Sequence, residues 1–222
     1  MSGAAEQPPT RERGPFPGLV VLGVTGGIAV GKSLLVSEFQ RLGAVCLNAD
    51  DLGREVVQPG EPALAELAAA FGPDVVQADG CLDRGEMARL AFSDPGNLSA
   101  LNAITHPRIE ARIRTRLEAL AADPPRPPIV VLEAAVLRSA GWERLVDKTL
   151  LVKAKQTTRM ARLTAEDRMA PAAARACIQA QEATEKNGRP ADWTVSGELN
   201  PAQRREQVAA VWLDLLRHAA HQ

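Results

Sequence analysis

The chain has 222 residues, of which 45% are hydrophobic, and a formal net charge of −1. This is enough apolar material for one sizeable domain, with or without an inserted subdomain. The near-zero charge argues against a global basic field for nucleic acid, and no apolar run approaches the ~18 residues of a membrane span. Because Cys46, Cys81 and Cys177 lie far apart without a C-x-x-C pair, they favour neither a zinc site nor a disulfide framework. We therefore expect a cytoplasmic protein with neither nucleic-acid nor membrane partners.

The amino-terminal part of the chain predicts a tail followed by a strand and a helix. Residues 1–17 are polar and rich in proline, which predicts a disordered tail. The apolar run 19–24 predicts a first strand. Apolar residues at helical spacing predict a helix over 32–42, which Gly43 ends as a C-cap glycine.

A Walker A pattern, G-x-x-x-x-G-K-S, lies between this strand and this helix. In that context the backbone N–H groups of the loop and the positive end of the helix bind phosphate. Lys32 is expected to reach the β- and γ-phosphates, and the Ser33 hydroxyl to bind Mg²⁺. We assign ATP binding to Gly26, Gly27, Ile28, Ala29, Val30, Gly31, Lys32, Ser33 and Leu34.

A second short apolar strand, 44–47, leads into Asn48-Ala49-Asp50-Asp51. Because ligands of parallel α/β sheets bind beyond the carboxyl ends of the strands, both aspartates are predicted to lie beside the P-loop. Asp51 is the predicted cap of the next helix. Asp50 has no such structural task, so it is the candidate base that accepts a proton from a hydroxyl acceptor.

The next 62 residues, 61–122, have mostly helical periodicity. A block of this length exceeds a simple strand-to-helix connection, so it predicts a helical insertion between core segments 18–60 and 125–222. Within it, His106-Pro107 is predicted to mark a helix boundary, because proline disfavours helix at the preceding residue. One histidine is weak evidence, so His106 taken by itself is interpreted as structural.

Three further strands and a last helix complete the predicted α/β fold with a parallel five-stranded sheet. The strands are predicted over 129–132, 149–152 and 191–195, and an amphipathic helix over 201–218. Glu133 directly follows the third strand. This is the Walker B arrangement, in which the carboxylate holds Mg²⁺ through water.

Residues 156–186 predict a pair of helices that carries several arginines. Arg159, Arg162 and Arg168 lie in and after the first helix, and Arg175 lies in the second. A mobile lid of this kind can close over a transferring phosphoryl group, exclude water and neutralise charge. Arg162 is the catalytic candidate. The alternative is a solvated basic face.

A P-loop by itself predicts only nucleotide binding. The N-K-x-D element of GTPases is absent from the sequence, and motor or transport ATPases generally need partner-contact modules and more length. A compact core, a helical insertion and an arginine-bearing lid instead fit a small-molecule kinase. The core would hold ATP, the insertion would hold the acceptor, and Asp50 would accept the proton.

Several segments together resemble dephospho-coenzyme A kinases, in consistent order and spacing from about Leu19 to about Val195. They are T-G-G-I-x-x-G-K-S at 25–33, N-A-D at 48–50, G-R-E-V-V at 53–57, P-G at 59–60, F-G at 71–72, D-G at 79–80, D-R at 83–84, I-T-H-P-R-I at 104–109, G-W at 141–142, V-D at 146–147 and A-D at 191–192.

This resemblance implies transfer of the ATP γ-phosphoryl group to the ribose 3′-hydroxyl of dephospho-coenzyme A, the last step of coenzyme A synthesis. It implies Asp50 as general base, with Arg54 and His106 near the acceptor, and we place Thr25 in the same acceptor-binding set. It also implies a parallel five-stranded core, a helical acceptor subdomain and a lid. Oligomeric state is left open.

Several positions depart from the family pattern. Asn48 replaces an aspartate, and 135–139 differs from the usual segment after the third strand. Ala29 replaces a glycine, which removes easy access to positive φ. Ser196-Gly197-Glu198 replaces an N-x-G element near the adenine side.

The lid departs most from the family pattern. Glu166 and Cys177 occupy positions of lid arginines, and Arg168 and Arg175 are the nearby candidates to replace them. A glutamate that faced the ATP phosphates would repel them. Two alternatives therefore stay open: a degenerate nucleotide- or coenzyme A-binding relative with little turnover, and a P-loop kinase for another small hydroxyl acceptor.

Overall fold

The computed structural model describes residues 15–122, 124, 126–127, 129–165, 169–185 and 190–220, without the side chains of 92, 180 and 182–185. The elements are β1 Val21–Thr25, α1 Lys32–Arg41, β2 Val45–Asn48, α2 Ala49–Glu55, α3 Pro62–Phe71, α4 Arg84–Ser93, α5 Pro95–Ala122, β3 Val130–Glu133, β4 Lys148–Lys153, α6 Gln156–Ala165, α7 Pro171–Glu185, β5 Trp193–Ser196 and α8 Pro201–Ala219. Most of the predicted tail lies outside the described residues, as do Glu166 and Arg168.

The five strands form one parallel sheet in the order β2-β3-β1-β4-β5, as the sequence predicts. Glu133 at the end of β3 lies beside Asn48 of β2 on one side and Val24 of β1 on the other. Because all strands run in the same direction, their carboxyl ends form one edge of the sheet. The P-loop, Asn48 and Glu133 all lie at this edge.

Side chains of the central strands alternate between two apolar layers. Leu22 and Val24 of β1 belong to the cluster formed with α1 and α8. Val21 belongs to the opposite cluster, formed with α2, α3, α4 and α5. Since successive side chains of a strand point to opposite faces, an unbroken apolar run is what a sheet covered on both sides requires. The result is the three-layer arrangement expected from the sequence.

The 28-residue helix α5 contains Pro107 in its interior. The prediction that Pro107 marks a helix boundary is therefore wrong. An internal proline costs about 3 kcal/mol because one backbone hydrogen bond is lost. The buried side chains of Ile109, Ile113 and Leu117 follow at helical spacing and pack into the core, and this packing outweighs the local cost. The division into core, insertion and lid stays a prediction.

Helices α6 and α7 pack on each other through Leu163, Ala174 and Ile178. Ile28 and Ala29 of the P-loop pack against this small cluster. The helix pair predicted as a lid therefore rests directly on the phosphate loop.

Among the described residues, no helix combines the length and the apolar character needed to cross a bilayer. The cytoplasmic location stays a prediction.

A buried carboxylate joins the first and last helices. Glu38 of α1 is 4% exposed, and its two oxygens lie 3.1 Å from Arg41 Nη1 and 3.2 Å from Arg204 Nε of α8. Arg204 is itself mostly buried. Burial of this pair is tolerated because both charges are matched and hydrogen bonded.

We expect Glu38→Ala to lower the free energy of unfolding by roughly 2–3 kcal/mol, because Arg204 keeps a buried charge without its carboxylate. Urea denaturation measures this change. The matched control is Asp214→Ala, which removes an exposed i,i+3 ion pair with Arg217 and should cost less than about 1 kcal/mol. Equal effects of the two substitutions would contradict the role of Glu38.

Candidate active site

The P-loop follows β1 and ends at Gly31, the residue before α1. Gly26 has φ +143°, and a Cβ placed there would lie 2.3 Å from the carbonyl oxygen of Val152 in β4. Gly31 has φ +96°. Both positions need glycine because a positive φ is disfavoured for residues with a side chain. Gly26 needs it also because the backbone of β4 approaches so closely.

Ala29 has φ +59°, and it is the only non-glycine with positive φ among the described residues. The sequence predicted that alanine here lacks easy access to such a conformation, and this strain costs about 1–2 kcal/mol. Arg162 Nη1 donates to the Ala29 carbonyl oxygen at 2.9 Å, and the Ala29 side chain packs on the cluster between α6 and α7. These lid contacts hold the strained residue in place.

Five of the nine residues assigned to ATP binding from the sequence, together with Glu133 and Arg162, line one pocket of about 420 Å³. It is lined by Ala29, Gly31, Lys32, Ser33, Leu34, Glu133 and Arg162. Lys32 Nζ donates to the carbonyl oxygens of Gly26 at 2.8 Å and Gly27 at 3.0 Å. Its ammonium group thus lies over the loop whose N–H groups are expected to bind phosphate.

Glu133 lies between the nucleotide side of the site and the side that carries Asp50 and Asp51. Burial raises the pKa of its carboxyl group, the Lys32 ammonium lowers it, and the charges of Asp50 and Asp51 raise it. Lys32 and Glu133 line the same pocket, and Asp50 follows two residues after Asn48, the strand partner of Glu133. Asp50 itself is exposed, so an acceptor can approach it from solvent.

Asn48 is the N-cap of α2, so the prediction that Asp51 caps this helix is wrong. The Asn48 side-chain oxygen accepts the Asp50 N–H at 2.8 Å, and its amide nitrogen donates to Glu133 Oε2 at 3.4 Å. Asp50 and Asp51 instead lie in the first turn of α2, where carboxylates are favoured by the helix dipole. Asparagine followed by an acidic turn is a helix-start signal that the sequence did contain.

The predicted acceptor-side residues lie on three elements. Arg54 is exposed on α2 and forms an ion pair with Asp51. The His106 ring on α5 packs edge-on against Trp142 with ring centroids 5.5 Å apart. Burial lowers the pKa of His106, so the imidazole is neutral at pH 7.

The structure brings these acceptor-side residues together only in part. No hydrogen bond joins His106 to Asp50 in the part of the chain that the structure describes. The hydroxyl of Thr25, which is buried, donates to the Ala135 carbonyl oxygen at 3.4 Å. Thr25 therefore ties the end of β1 to the segment after β3.

Three lid side chains bond to the backbone of the P-loop. Arg159, which is 5% exposed, donates from Nε to the Ile28 carbonyl oxygen at 3.0 Å. The Ile28 N–H donates to Gln181 Oε1 at 2.5 Å, and Arg162 bonds to Ala29 as described. For Arg159 the alternative of a solvated basic face is therefore wrong. Arg175 is exposed in a separate depression on α7 and does not line the nucleotide pocket.

Gly197 is a site residue whose importance the sequence did not reveal. A Cβ placed there would lie 1.6 Å from the Val30 carbonyl oxygen, and Arg162 Nη2 donates to the Gly197 carbonyl oxygen at 2.8 Å. The turn after β5 thus touches both the P-loop and the lid. The sequence signal was the glycine in the middle of Ser196-Gly197-Glu198.

Comparison with known proteins decides the family. The model of the family described as dephospho-CoA kinase matches residues 20–202. The chain belongs to the dephospho-CoA kinase family. A dephospho-CoA kinase from Moorella thermoacetica is 41% identical over 202 residues, covering 91% of this chain and 95% of the relative. One from Streptomyces avermitilis is 38% identical over 204 residues, covering 92% of this chain and 97% of that relative.

Solved structures share the fold of this dephospho-CoA kinase family member. The crystal structure of TT1252 from Thermus thermophilus is 31% identical, covers 88% of this chain and 96% of its own, and has a TM-score of 0.72. The structure of a dephospho-CoA kinase from Campylobacter jejuni is 22% identical, covers 89% of this chain and 98% of its own, and has a TM-score of 0.57. At that identity the likeness supports the fold alone.

The bond between Ile28 and Gln181 predicts competition between the lid and the nucleotide. A phosphate that binds the P-loop needs the Ile28 N–H that Gln181 occupies. We expect Gln181→Ala to lower the Kd for ATP by about threefold to tenfold, the size of one hydrogen bond, as measured by calorimetry. Gln179→Ala is the matched control, because Gln179 is exposed on the same helix. Weaker ATP binding in Gln181→Ala would contradict the competition.

Proposed function

We propose that this chain transfers the γ-phosphoryl group of ATP to the ribose 3′-hydroxyl of dephospho-coenzyme A, which gives coenzyme A and ADP. Family membership supports the substrate. The observation that carries the proposal is the parallel register, which places Glu133 of β3 between β1, which leads into the P-loop, and β2, which leads into the helix that carries Asp50. A phosphate-binding cation and an exposed carboxylate at one sheet edge are suited to act on the same pair of reactants.

The nucleotide pocket fits Mg-ATP. Its volume of about 420 Å³ is within the range of ~300–1,000 Å³ for small-molecule sites. The hydroxyl of Ser33 and the carboxylate of Glu133 line it, and both are oxygen donors of the kind Mg²⁺ prefers. We assign Ser33 as a direct ligand and Glu133 as a ligand through water. Bound Mg²⁺ would neutralise charge on the phosphates.

The residues of this chain have distinct proposed tasks in the transfer. Asp50 accepts the proton that leaves the acceptor hydroxyl as its oxygen bonds to phosphorus. Lys32 and Arg162 neutralise charge on the phosphoryl oxygens and on the leaving ADP. Helices α6 and α7 lie over the loop and exclude water, which would otherwise compete as acceptor.

On the acceptor side, Arg54 is the proposed partner of the acceptor's diphosphate. It lies one helical turn from Asp50 on α2, and its guanidinium group is solvent-exposed beside Asp51. Guanidinium groups bind phosphate oxygens in a bidentate manner. His106 is neutral and packed on Trp142, so its proposed contribution is a hydrogen bond rather than a positive charge.

Asp50→Asn tests the base. We expect kcat to fall by roughly 10²–10⁴-fold, since an amide cannot accept the proton, while the Kd for ATP changes little. Mass detection of coenzyme A gives the rate. The neighbouring substitution Asp51→Asn is the matched control and should cause a much smaller decrease. A near-normal rate in Asp50→Asn would eliminate Asp50 as the base.

Lys32→Ala tests the phosphate site. We expect a loss of about 10²–10³-fold in kcat, because the phosphoryl charge loses a preorganised partner, together with a higher KM for ATP. The assay contains purified protein, Mg-ATP and dephospho-coenzyme A.

The same assay on the wild-type protein tests the two alternative functions. ATP binding without turnover would support a degenerate binding relative. Turnover only with another hydroxyl compound would support a kinase with a different acceptor.

A further inference from the structure

Asn48 and Glu133 lie side by side at the carboxyl edge of the sheet. Asn48 is the last residue of β2, Glu133 is the last residue of β3, and the two are direct partners in the parallel ladder. Both residues are half-buried. Because paired residues of neighbouring strands point to the same face of a sheet, their side chains must lie next to each other. The contact between them therefore follows from the backbone register.

The Asn48 amide uses its two ends differently. Its oxygen Oδ1 accepts the Asp50 N–H at 2.8 Å, which caps α2, and its nitrogen Nδ2 donates to Glu133 Oε2 at 3.4 Å. A backbone N–H requires the amide oxygen and a carboxylate requires the amide nitrogen, so both partners select the same orientation of the amide. One side chain thus joins the Glu133 carboxylate to the first turn of the helix that carries Asp50.

This arrangement leaves one oxygen of Glu133 for the nucleotide pocket. Oε2 accepts from Asn48, while Oε1 makes no hydrogen bond with the residues that the structure describes. Glu133 lines the pocket together with Ser33. Hydrogen bonds from neighbouring residues orient the carboxylates that serve a metal site. The bond from Asn48 can therefore restrict rotation of the Glu133 carboxylate and keep Oε1 available.

We propose that Asn48 is a positioning residue, whose amide holds the Glu133 carboxylate in the orientation needed to bind Mg²⁺ through water and couples it to the helix that carries Asp50. This inference rests on the proposed function, in which Glu133 has that task. Asn48 itself touches neither reactant in this role and acts through Glu133.

The family pattern has an aspartate at this position, and the contacts distinguish the two residues. An ionised aspartate caps a helix as well as asparagine does, but it has no hydrogen to donate to Glu133. It would also place a second negative charge beside Glu133, and like charges on directly paired strand residues repel each other. Asparagine caps α2 and donates to the carboxylate without adding charge.

Asn48→Ser separates the two ends of the amide. Serine is as good a helix cap as asparagine, so the bond to the Asp50 N–H is kept, whereas the shorter side chain does not reach Glu133. We expect the Kd for ADP in saturating Mg²⁺ to rise about tenfold, the lower end of the range for losing a residue that orients a metal ligand. The Kd for ADP in EDTA should not change. Calorimetry measures both constants without acceptor or turnover, and kcat should fall while the KM for dephospho-coenzyme A stays the same.

The matched control is Asn200→Ser. Asn200 is the N-cap of α8, and its side-chain oxygen accepts the N–H groups of Ala202 and Gln203 at 3.0 Å. It lies outside the described lining of the nucleotide pocket. Both substitutions keep a cap and remove an amide, so both should change the melting temperature equally little. The control should keep the wild-type kcat and Kd for ADP in Mg²⁺. Equal losses in the two variants would reduce Asn48 to a helix cap and overturn the inference.

A double-mutant cycle tests whether Asn48 acts through Glu133. We expect Glu133→Gln to weaken ADP binding in Mg²⁺, because an amide lacks the negative charge that attracts the metal. In that background Asn48→Ser should have no further effect, since residues that act through one contact are not additive. Additive effects would show that Asn48 acts on another group and would overturn the inference.

Asn48→Asp gives a readout that needs neither metal nor turnover. In EDTA, above the pKa values of both carboxylates, we expect a lower melting temperature than in Asn48→Ser, because both variants keep the cap and only the aspartate adds charge beside Glu133. Combining Asn48→Asp with Glu133→Gln restores one donor and one acceptor and should restore the melting temperature. Equal melting temperatures of Asn48→Asp and Asn48→Ser would contradict the contact on which the inference depends.

Failure of the inference and failure of the proposed function give different results. An unchanged Kd for ADP in Mg²⁺ in Asn48→Ser, with normal turnover of the wild type, would overturn the positioning role while the proposed function stands. Wild-type protein that does not phosphorylate dephospho-coenzyme A would overturn the proposed function. ADP binding in Mg²⁺ would then still decide whether Asn48 positions Glu133.

Discussion

The parallel register of β2, β3 and β1 is the constraint on which the site depends. It places Asn48 beside Glu133, and Glu133 beside the end of the strand that enters the P-loop. Because the strands run in one direction, residues that are 85 positions apart in the chain end at the same edge. The phosphate loop, the proposed metal-binding carboxylate and the helix that carries Asp50 are brought together by this register and by the two apolar layers that cover the sheet.

The geometry of the P-loop also requires that other backbone segments approach it closely. Gly26 meets Val152 of β4, and Gly197 meets Val30, at distances that exclude any side chain. The strained Ala29 is held by a hydrogen bond from Arg162. The loop geometry therefore depends on contacts from β4, from the turn after β5 and from the lid, not on its glycines alone. This explains how the chain retains a left-handed residue where alanine replaces glycine.

Local signals were sufficient for the strands and for the position of the P-loop between β1 and α1. The apolar runs predicted all five strands to within one or two residues. Five residues of the Walker A segment, Ala29 and Gly31 to Leu34, line the pocket beside the P-loop, and their role in binding ATP stays a prediction. Local rules were wrong where tertiary packing opposed them, as at Pro107 inside α5. The cap of α2 was also assigned incorrectly, because several residues that can cap a helix stand in a row at 48–51 and only the backbone path selects Asn48.

The sequence by itself determined the fold class and the phosphate loop, because strand and helix periodicity and a contiguous motif depend on residues close together in the chain. It indicated the family through the resemblance of several segments spread along the chain. Only the tertiary structure decided which side chains meet. In the folded chain Gln181 accepts the Ile28 N–H, Arg159 is buried and Arg175 is exposed. A cleft lined by Asn102 lies among the helices. Those outcomes depend on how α4, α5, α6 and α7 pack on the sheet and on each other, and no local pattern encodes that packing.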